Sequence, residues 1–255
     1  MKKLIINADD FGMSEAVNYG VIKAYVDGIV SSTTLMPNME AAEHAAKLSK
    51  DYPDLFIGQH TNLVLGKPCS DPKDIPSLID ENGYFYPSSD YRTGKRVLQY
   101  DDVRKEIIAQ MERFKELFGH YPTYIEGHAV FGKALNEALV NVAKEFNVNT
   151  SLLNAECEKY GFKRINPGMG PKDMKAMLKG IDADYFINEL GIEKLADGGI
   201  YEFHFHPGYL DQFVLDHSTL TLGRCLDVDT LCDIRVKEYI KKSGYELISF
   251  GDTKL

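Results

Sequence analysis

Apolar, β-branched runs recur along this chain, and four of them break off at a side chain that can bind a metal or carry a proton. Residues 3–8 run into Asp9 and Asp10, 55–59 into His60, 123–127 into His128, and 199–205 into His206. Stretches with helical spacing separate these runs, so the strands are expected to lie parallel. In parallel α/β folds the C-terminal ends of the strands open onto one face, where side chains far apart in sequence share a pocket. That convergence limits the architecture and the chemistry together.

The rest of the chain fits the same alternation. Ser14 is placed to cap a helix that stops at Gly28, 29–36 reads as a second strand, and Asn38 is expected to cap an alanine-rich helix to about residue 50. Residues 61–99 carry repeated Gly, Pro, Ser and Asp with little periodicity, the mark of a long loop insertion. Asp101 or Asp102 opens an amphipathic helix on Val103, Ile107, Met111, Phe114 and Leu117, closed by Gly119. There follow a strand at 123–127, a helix at 133–146 and a strand at 147–153. Short helices are expected at 171–179 and 188–195, then a strand at 199–206, an irregular stretch at 207–226, a helix at 228–242 and a closing strand at 245–250. Roughly seven or eight strands interleaved with helices, with no repeat and no linker, make one α/β domain over 1–255. The expected fold is an irregular, TIM-like (β/α) barrel of parallel strands. An open doubly wound sheet is the alternative, because both bury their strands on two faces.

A length of 255 residues suits a barrel, which takes ~250 residues. A net charge of -9 weighs against nucleic-acid and anionic-membrane partners, since both need a basic face. No run approaches the ~20 apolar residues of a membrane span, and Asp9-Asp10 cuts the first apolar run too short for a signal peptide. Cys69, Cys157, Cys225 and Cys232 show neither C-x-x-C spacing nor a dense disulfide pattern. The expectation is a cytoplasmic protein with reduced thiols that acts on a small molecule. Phosphate-cradling glycine loops and the Gly-x-Ser-x-Gly elbow are both absent from the sequence.

At the strand ends the residue types suit hydrolysis. Two adjacent carboxylates in Asn7-Ala8-Asp9-Asp10-Phe11-Gly12 allow one to bind a cation and the other to act as base, although either could instead cap the following helix. His60 and His128 supply imidazoles, and two histidines with one Asp complete a three-ligand site with open positions. Glu126, two residues before His128, could orient a ring nitrogen. Glu202, His204 and His206 share one face of their strand, which assigns His206 as general acid with His204 or Glu202 as its support. His44, His120 and His217 read as structural.

These residues resemble those of the YdjC-like carbohydrate deacetylases. The likeness rests on Asn7-Ala8-Asp9-Asp10-Phe11-Gly12 with Ser14, Ser31-Ser32-Thr33-Thr34-Leu35-Met36 with Asn38, and Gly58-Gln59-His60-Thr61-Asn62-Leu63. Glu126-Gly127-His128 and His206-Pro207-Gly208-Tyr209 complete it. The resemblance implies a TIM-like barrel, a divalent metal (magnesium in the family, with zinc as the alternative), a homodimer, and removal of acetyl groups from N-acetylated sugars. Asp10, His60 and His128 would hold the metal, Asp9 would be the base and His206 the acid. His204, Tyr84 (with Phe85 and Tyr86) and Arg164 are the candidates for substrate contacts. Where many members carry His-x-His-x-His, this chain reads His128-Ala129-Val130-Phe131-Gly132. Two other activities compete: a metal-dependent hydrolase of a phosphorylated disaccharide, and a catalytically silent sugar-binding protein.

Overall fold

Eight strands, all paired in parallel, carry the molecule in this computed structural model, which describes residues 2–150, 165–168, 170–171 and 174–253. They are β1 (Lys2–Phe11), β2 (Ser32–Leu35), β3 (Phe56–Thr61), β4 (Tyr124–Gly127), β5 (Asn149–Thr150), β6 (Asn166–Pro167), β7 (Ile200–Phe205) and β8 (Tyr245–Leu247). Their order is β5-β4-β3-β2-β1-β7-β6, with β8 also on β1. The sheet does not close among the described residues, so β5 and β6 are its two ends. The irregular parallel architecture expected from sequence is the one observed.

β1 is the axis of the arrangement, and the sequence shows why. Leu4, Ile5, Ile6 and Ala8 are fully buried, as a strand covered on both faces requires. Its Lys3–Ala8 stretch pairs with β7, while the opposite edge is shared between β8 at its start and β2 towards its end. Between Ala8 and Phe11 the β1–β2 register shifts. A bulge of this kind bends the strand and re-aims its side chains. Here it lets consecutive residues, Asp9 and Asp10, both turn into the interior instead of alternating across the sheet. Asp10 sits at φ 72° and Gly12 at φ 91°, left-handed backbone that ends the strand in a tight turn.

The helices are α1 (Glu15–Val26), α2 (Ala42–Leu48), α3 (Ser88–Arg92), α4 (Tyr100–Phe118), α5 (Lys133–Phe146), α6 (Met174–Lys179), α7 (Ala183–Asn188), α8 (Gln212–His217), α9 (Leu222–Cys232) and α10 (Ile234–Lys242). Ser14 caps α1 as expected, accepting from the Val17 N–H, and left-handed Gly119 closes α4. Other expectations are corrected. Asn38 caps nothing: its amide donates to the Leu65 and Lys67 carbonyls, and α2 begins four residues later without a side-chain cap. The helix expected at 188–195 is mostly earlier in the chain: Asp182 caps α7, which ends at Asn188, and only a 3-10 turn at Ile192–Lys194 follows. The irregular stretch at 207–226 contains α8 and the start of α9, and the last long helix is two, broken where Asp233 caps α10. The strand expected at 147–153 is described only at β5.

The long insertion is pinned at its root. Buried Glu106 on α4 accepts the Cys69 and Ser70 N–H groups, and Gln110 exchanges hydrogen bonds with the Asn62 backbone. The loop therefore leaves β3 in a fixed direction, immediately beyond His60. No helix among the described residues is long and apolar enough to cross a membrane.

Candidate metal centre

Three donor atoms meet where the C-terminal ends of β1, β3 and β4 come together. His128 Nδ1 lies 3.0 Å from Asp10 Oδ1 and 3.0 Å from His60 Nε2, and His60 Nε2 lies 3.4 Å from Asp10 Oδ1. Such separations suit ligands on one side of a small ion with bonds of ~2.0–2.2 Å. Asp10 Oδ1 is buried and makes no hydrogen bond of acceptable geometry, so a buried carboxylate oxygen is left facing two imidazoles. The donor set fits a divalent cation. Asp9 with His60 and Glu126, and Glu126 with Glu202 and His204, also bring three donors close together. The first trio is favoured because His60 Nδ1 lies 2.9 Å from Glu126 Oε1, a contact that would take the Nδ1–H of a neutral, ion-bound imidazole and leave Nε2 as the ligand atom.

Glu126 therefore orients His60 across the sheet and not His128, its neighbour in sequence. The β3–β4 register puts Glu126 directly opposite His60. Thr34 and Asn7 donate to the same Glu126 oxygen, at 2.7 and 3.4 Å, and fix it in turn. His128 is held by its own backbone: its N–H donates to the Thr61 carbonyl, and Val130 N–H folds back onto the His128 carbonyl around Ala129 at φ 57°.

Asp9 faces other company. Its oxygens lie 3.1 and 3.2 Å from His204 Nδ1, Asn7 donates to Oδ1 at 2.7 Å, and His206 Nε2 stands 3.8 Å from Oδ2. His204 Nε2 is 3.3 Å from Glu202 Oε1. His204 thus stands between Asp9 and Glu202, where the sequence had offered either His204 or Glu202 as the support of His206. His206 is fixed through its main chain, whose N–H donates to Asp227 Oδ2 at 3.0 Å.

The charges explain the titration of the site. Asp9, Asp10, Glu126 and Glu202 are all buried, and Arg224 is buried with them. Burial alone would raise Asp10, but the Arg224 guanidinium and His128 hold its carboxyl well below the usual carboxylate range. Burial acts the same way on Asp9, and His204 and His60 outweigh it, leaving Asp9 below its ordinary value. On His60 burial opposes the charge, yet Asp9, Asp10 and Glu126 carry it up to about 10. His204 is raised despite its burial, by Glu202, Asp9 and Glu126, whereas burial pushes His128 down. A field that holds protons this firmly is one that a cation satisfies.

The structure thus brings together Asp9, Asp10, His60, His128, His204 and His206. Tyr84 is in the long loop, 46% exposed, with its N–H on Asp80 and Lys67 Nζ 5.1 Å above its ring. Arg164 falls outside the described residues. Sequence reasoning missed Arg224 and Asp227, both on α9. Their one signal was a pair of opposite charges three residues apart on a helix, a spacing that puts both on one face.

Comparison with known proteins places this arrangement. The model of the family described as YdjC-like protein matches residues 3–242. A carbohydrate deacetylase 2 of Listeria innocua is 34% identical over 251 residues, 98% of each chain. A chitooligosaccharide deacetylase of Serratia marcescens is 34% identical, covering 98% of this chain and 99% of its own. A solved structure from Enterococcus faecalis V583, named provisionally for cellobiose-phosphate cleavage, matches with a TM-score of 0.87 and 28% identity, over 100% of this chain and 99% of that one. A family match over nearly the whole length, carried by relatives of the same size, shows that the chain belongs to the YdjC-like family.

Proposed function

We propose that this chain is a metal-dependent hydrolase that removes acetyl groups from N-acetylated sugars. The observation that carries the reading is the separation of tasks within one pocket. Asp10, His60 and His128 present three donors to one point, while Asp9 and His206 stand 3.8 Å apart and belong to no part of that trio. Hydrolysis of an amide needs such a division, with one group to take a proton from water and another to give one to the leaving nitrogen. The relatives' names, carbohydrate deacetylase and chitooligosaccharide deacetylase, support acetamide as the bond cleaved.

Asp10, His60 and His128 would hold a divalent cation, which would supply Lewis acidity towards the acetamide carbonyl and the attacking water. Two imidazoles and one carboxylate favour zinc or a similar first-row ion over magnesium, which prefers oxygen donors and keeps several waters. Asp9 accepts the proton of the water as its oxygen bonds to the carbonyl carbon. His204, gripping both Asp9 oxygens, holds that carboxylate in place. His206 donates a proton to the sugar nitrogen as the C–N bond breaks, and acetate and a free amine leave. Burial of the carboxylates keeps these interactions in a medium where they are stronger than in water.

Acetate release from N,N'-diacetylchitobiose and its 6-phosphate, measured before and after chelation and after return of zinc or magnesium, tests the reading. Release that is lost with the metal and restored by it is expected. The Enterococcus relative's name favours a second reading, cleavage of a phosphorylated disaccharide. Arg224, the one permanent cation among the described site residues, is already committed to Asp10, so those residues offer a phosphate little. Glycosidic cleavage without acetate release would establish that reading in place of the first.

A further inference from the structure

Arg224 reaches from α9 into the metal centre with no counterpart in the strand-end pattern. It is 2% exposed, and its Nη2 donates to Asp10 Oδ2 at 2.8 Å. Its Nε donates to the Leu220 carbonyl at 2.9 Å, and Nη2 also lies 3.5 Å from Met13 Sδ. Its stem packs against Gly208, where an added Cβ would come within 3.4 Å of Arg224 Cδ. The guanidinium is thereby fixed in position. Its Nη1 is buried without a hydrogen-bond partner among the described residues. A buried ion pair contributes little to stability compared with apolar packing of the same volume, and an unmet donor costs ~1–3 kcal/mol. Arg224 is therefore poorly explained as a stabilising residue.

Its geometry points to another task. Asp10 offers Oδ1 to the two imidazoles, at 3.0 and 3.4 Å, and its other oxygen is taken by Arg224. We infer that Arg224 is a positioning residue that restricts Asp10 to a single-oxygen ligand. A carboxylate free to bind through both oxygens would occupy a further position on the ion. With Oδ2 held by Arg224, the protein supplies three donor atoms, and the positions needed by water and the acetamide carbonyl stay open. Outer partners of this kind orient ligands, and their loss costs roughly 10–100-fold in affinity or activity. The inference rests on the metal reading proposed above and is tested so that the two fail differently.

The zinc-loaded wild-type protein is crystallised, and cobalt-substituted wild type, Arg224→Lys and Arg224→Met are compared by visible absorption. One zinc per chain is expected, bonded to Oδ1 with Oδ2 remaining on Arg224. Arg224→Met is expected to bind cobalt with weaker visible bands, the sign of a higher coordination number, and to lose roughly 10–100-fold in turnover. Arg224→Lys, which keeps a donor and a charge, is expected to recover part of both. Both oxygens on the zinc in the wild-type crystal overturn the inference and leave the metal site standing. A folded Arg224→Met with an unchanged cobalt spectrum overturns it too. Wild-type protein that takes up no metal overturns both readings. Should Arg224→Met not fold, the wild-type crystal still decides.

Discussion

Asp9 and Asp10 are neighbours with the same side chain, and what distinguishes them is the company each carboxylate keeps. Asp10 has a guanidinium on one oxygen and two imidazole nitrogens beside the other. Asp9 has an imidazole across both oxygens and a second one near by. Asp9→Asn should therefore leave metal uptake intact while lowering acetate release by roughly 10²–10⁴, the usual contribution of a positioned base. Asp10→Asn should lower the metal content itself. Metal analysis beside an acetate assay separates the two, and equal metal loss in both variants would contradict the division of roles. His206→Ala should behave as Asp9→Asn does, sparing metal and cutting turnover on the same scale. These positions could be read from sequence because each ends an apolar run. Arg224 could not, since its partner is 214 residues away and it sits on a helix, where no strand-end rule applies. Glu126 could be read from sequence as a carboxylate able to orient a ring nitrogen, but which ring it holds, that of His60, is chosen by cross-strand register and not by adjacency.

At the scale of elements, α9 and α1 hold the chain around the site residues. Arg224 and Asp227 lie on one face of α9 and hold Asp10 and the His206 main chain respectively. α1 presses on the same loop: a Cβ added to Gly20 would lie 2.4 Å from Gly208 Cα, two residues past His206. No backbone can accept that contact, so Gly20→Ala must push the His206 loop outwards. We expect it to cost about 1–3 kcal/mol in unfolding free energy, as overpacking does, and to lower turnover with zinc content unchanged. A Gly20→Ala protein with full stability and full activity would show that the loop yields freely. The sequence did not reveal α9 in full because its first turn, Leu222-Gly223-Arg224, lacks an apolar period. What fixes that turn is tertiary: Gly223 packs so closely on Gly180 that a Cβ at Gly180 would meet the Gly223 carbonyl at 2.8 Å. The break between α9 and α10 was equally hidden, although Asp233, whose side chain accepts the Arg235 N–H, is a strong helix-start residue.

For the molecule as a whole, alternation of strands and helices was enough to identify a parallel α/β fold, but not to tell an irregular barrel from an open sheet, since both bury their strands on two faces. The short β6 (Asn166–Pro167) was not legible, because its pairing with β7 depends on tertiary context and not on local pattern. The same assembly has a consequence for stability. Folding drives Asp9, Asp10, Glu126 and Glu202 into one buried space with Arg224 as the one permanent cation among the described site residues, in a chain of net charge -9. Without an ion, raised His60 and His204 must carry protons to offset the carboxylates. On the proposed reading, a divalent cation would provide that compensation at neutral pH and, binding only the folded arrangement, would stabilise folding in proportion to its occupancy. At free metal one hundred times the dissociation constant the gain is about 2.7 kcal/mol. For a domain near this size that corresponds to a rise of roughly 5–10 °C in the unfolding midpoint. Calorimetry of chelated and zinc-loaded protein should show this shift, and Asp10→Asn should abolish it while Asp9→Asn retains most of it. A midpoint indifferent to zinc in the wild type would mean that the carboxylates are balanced by protons alone, and the pocket would then need no ion to exist.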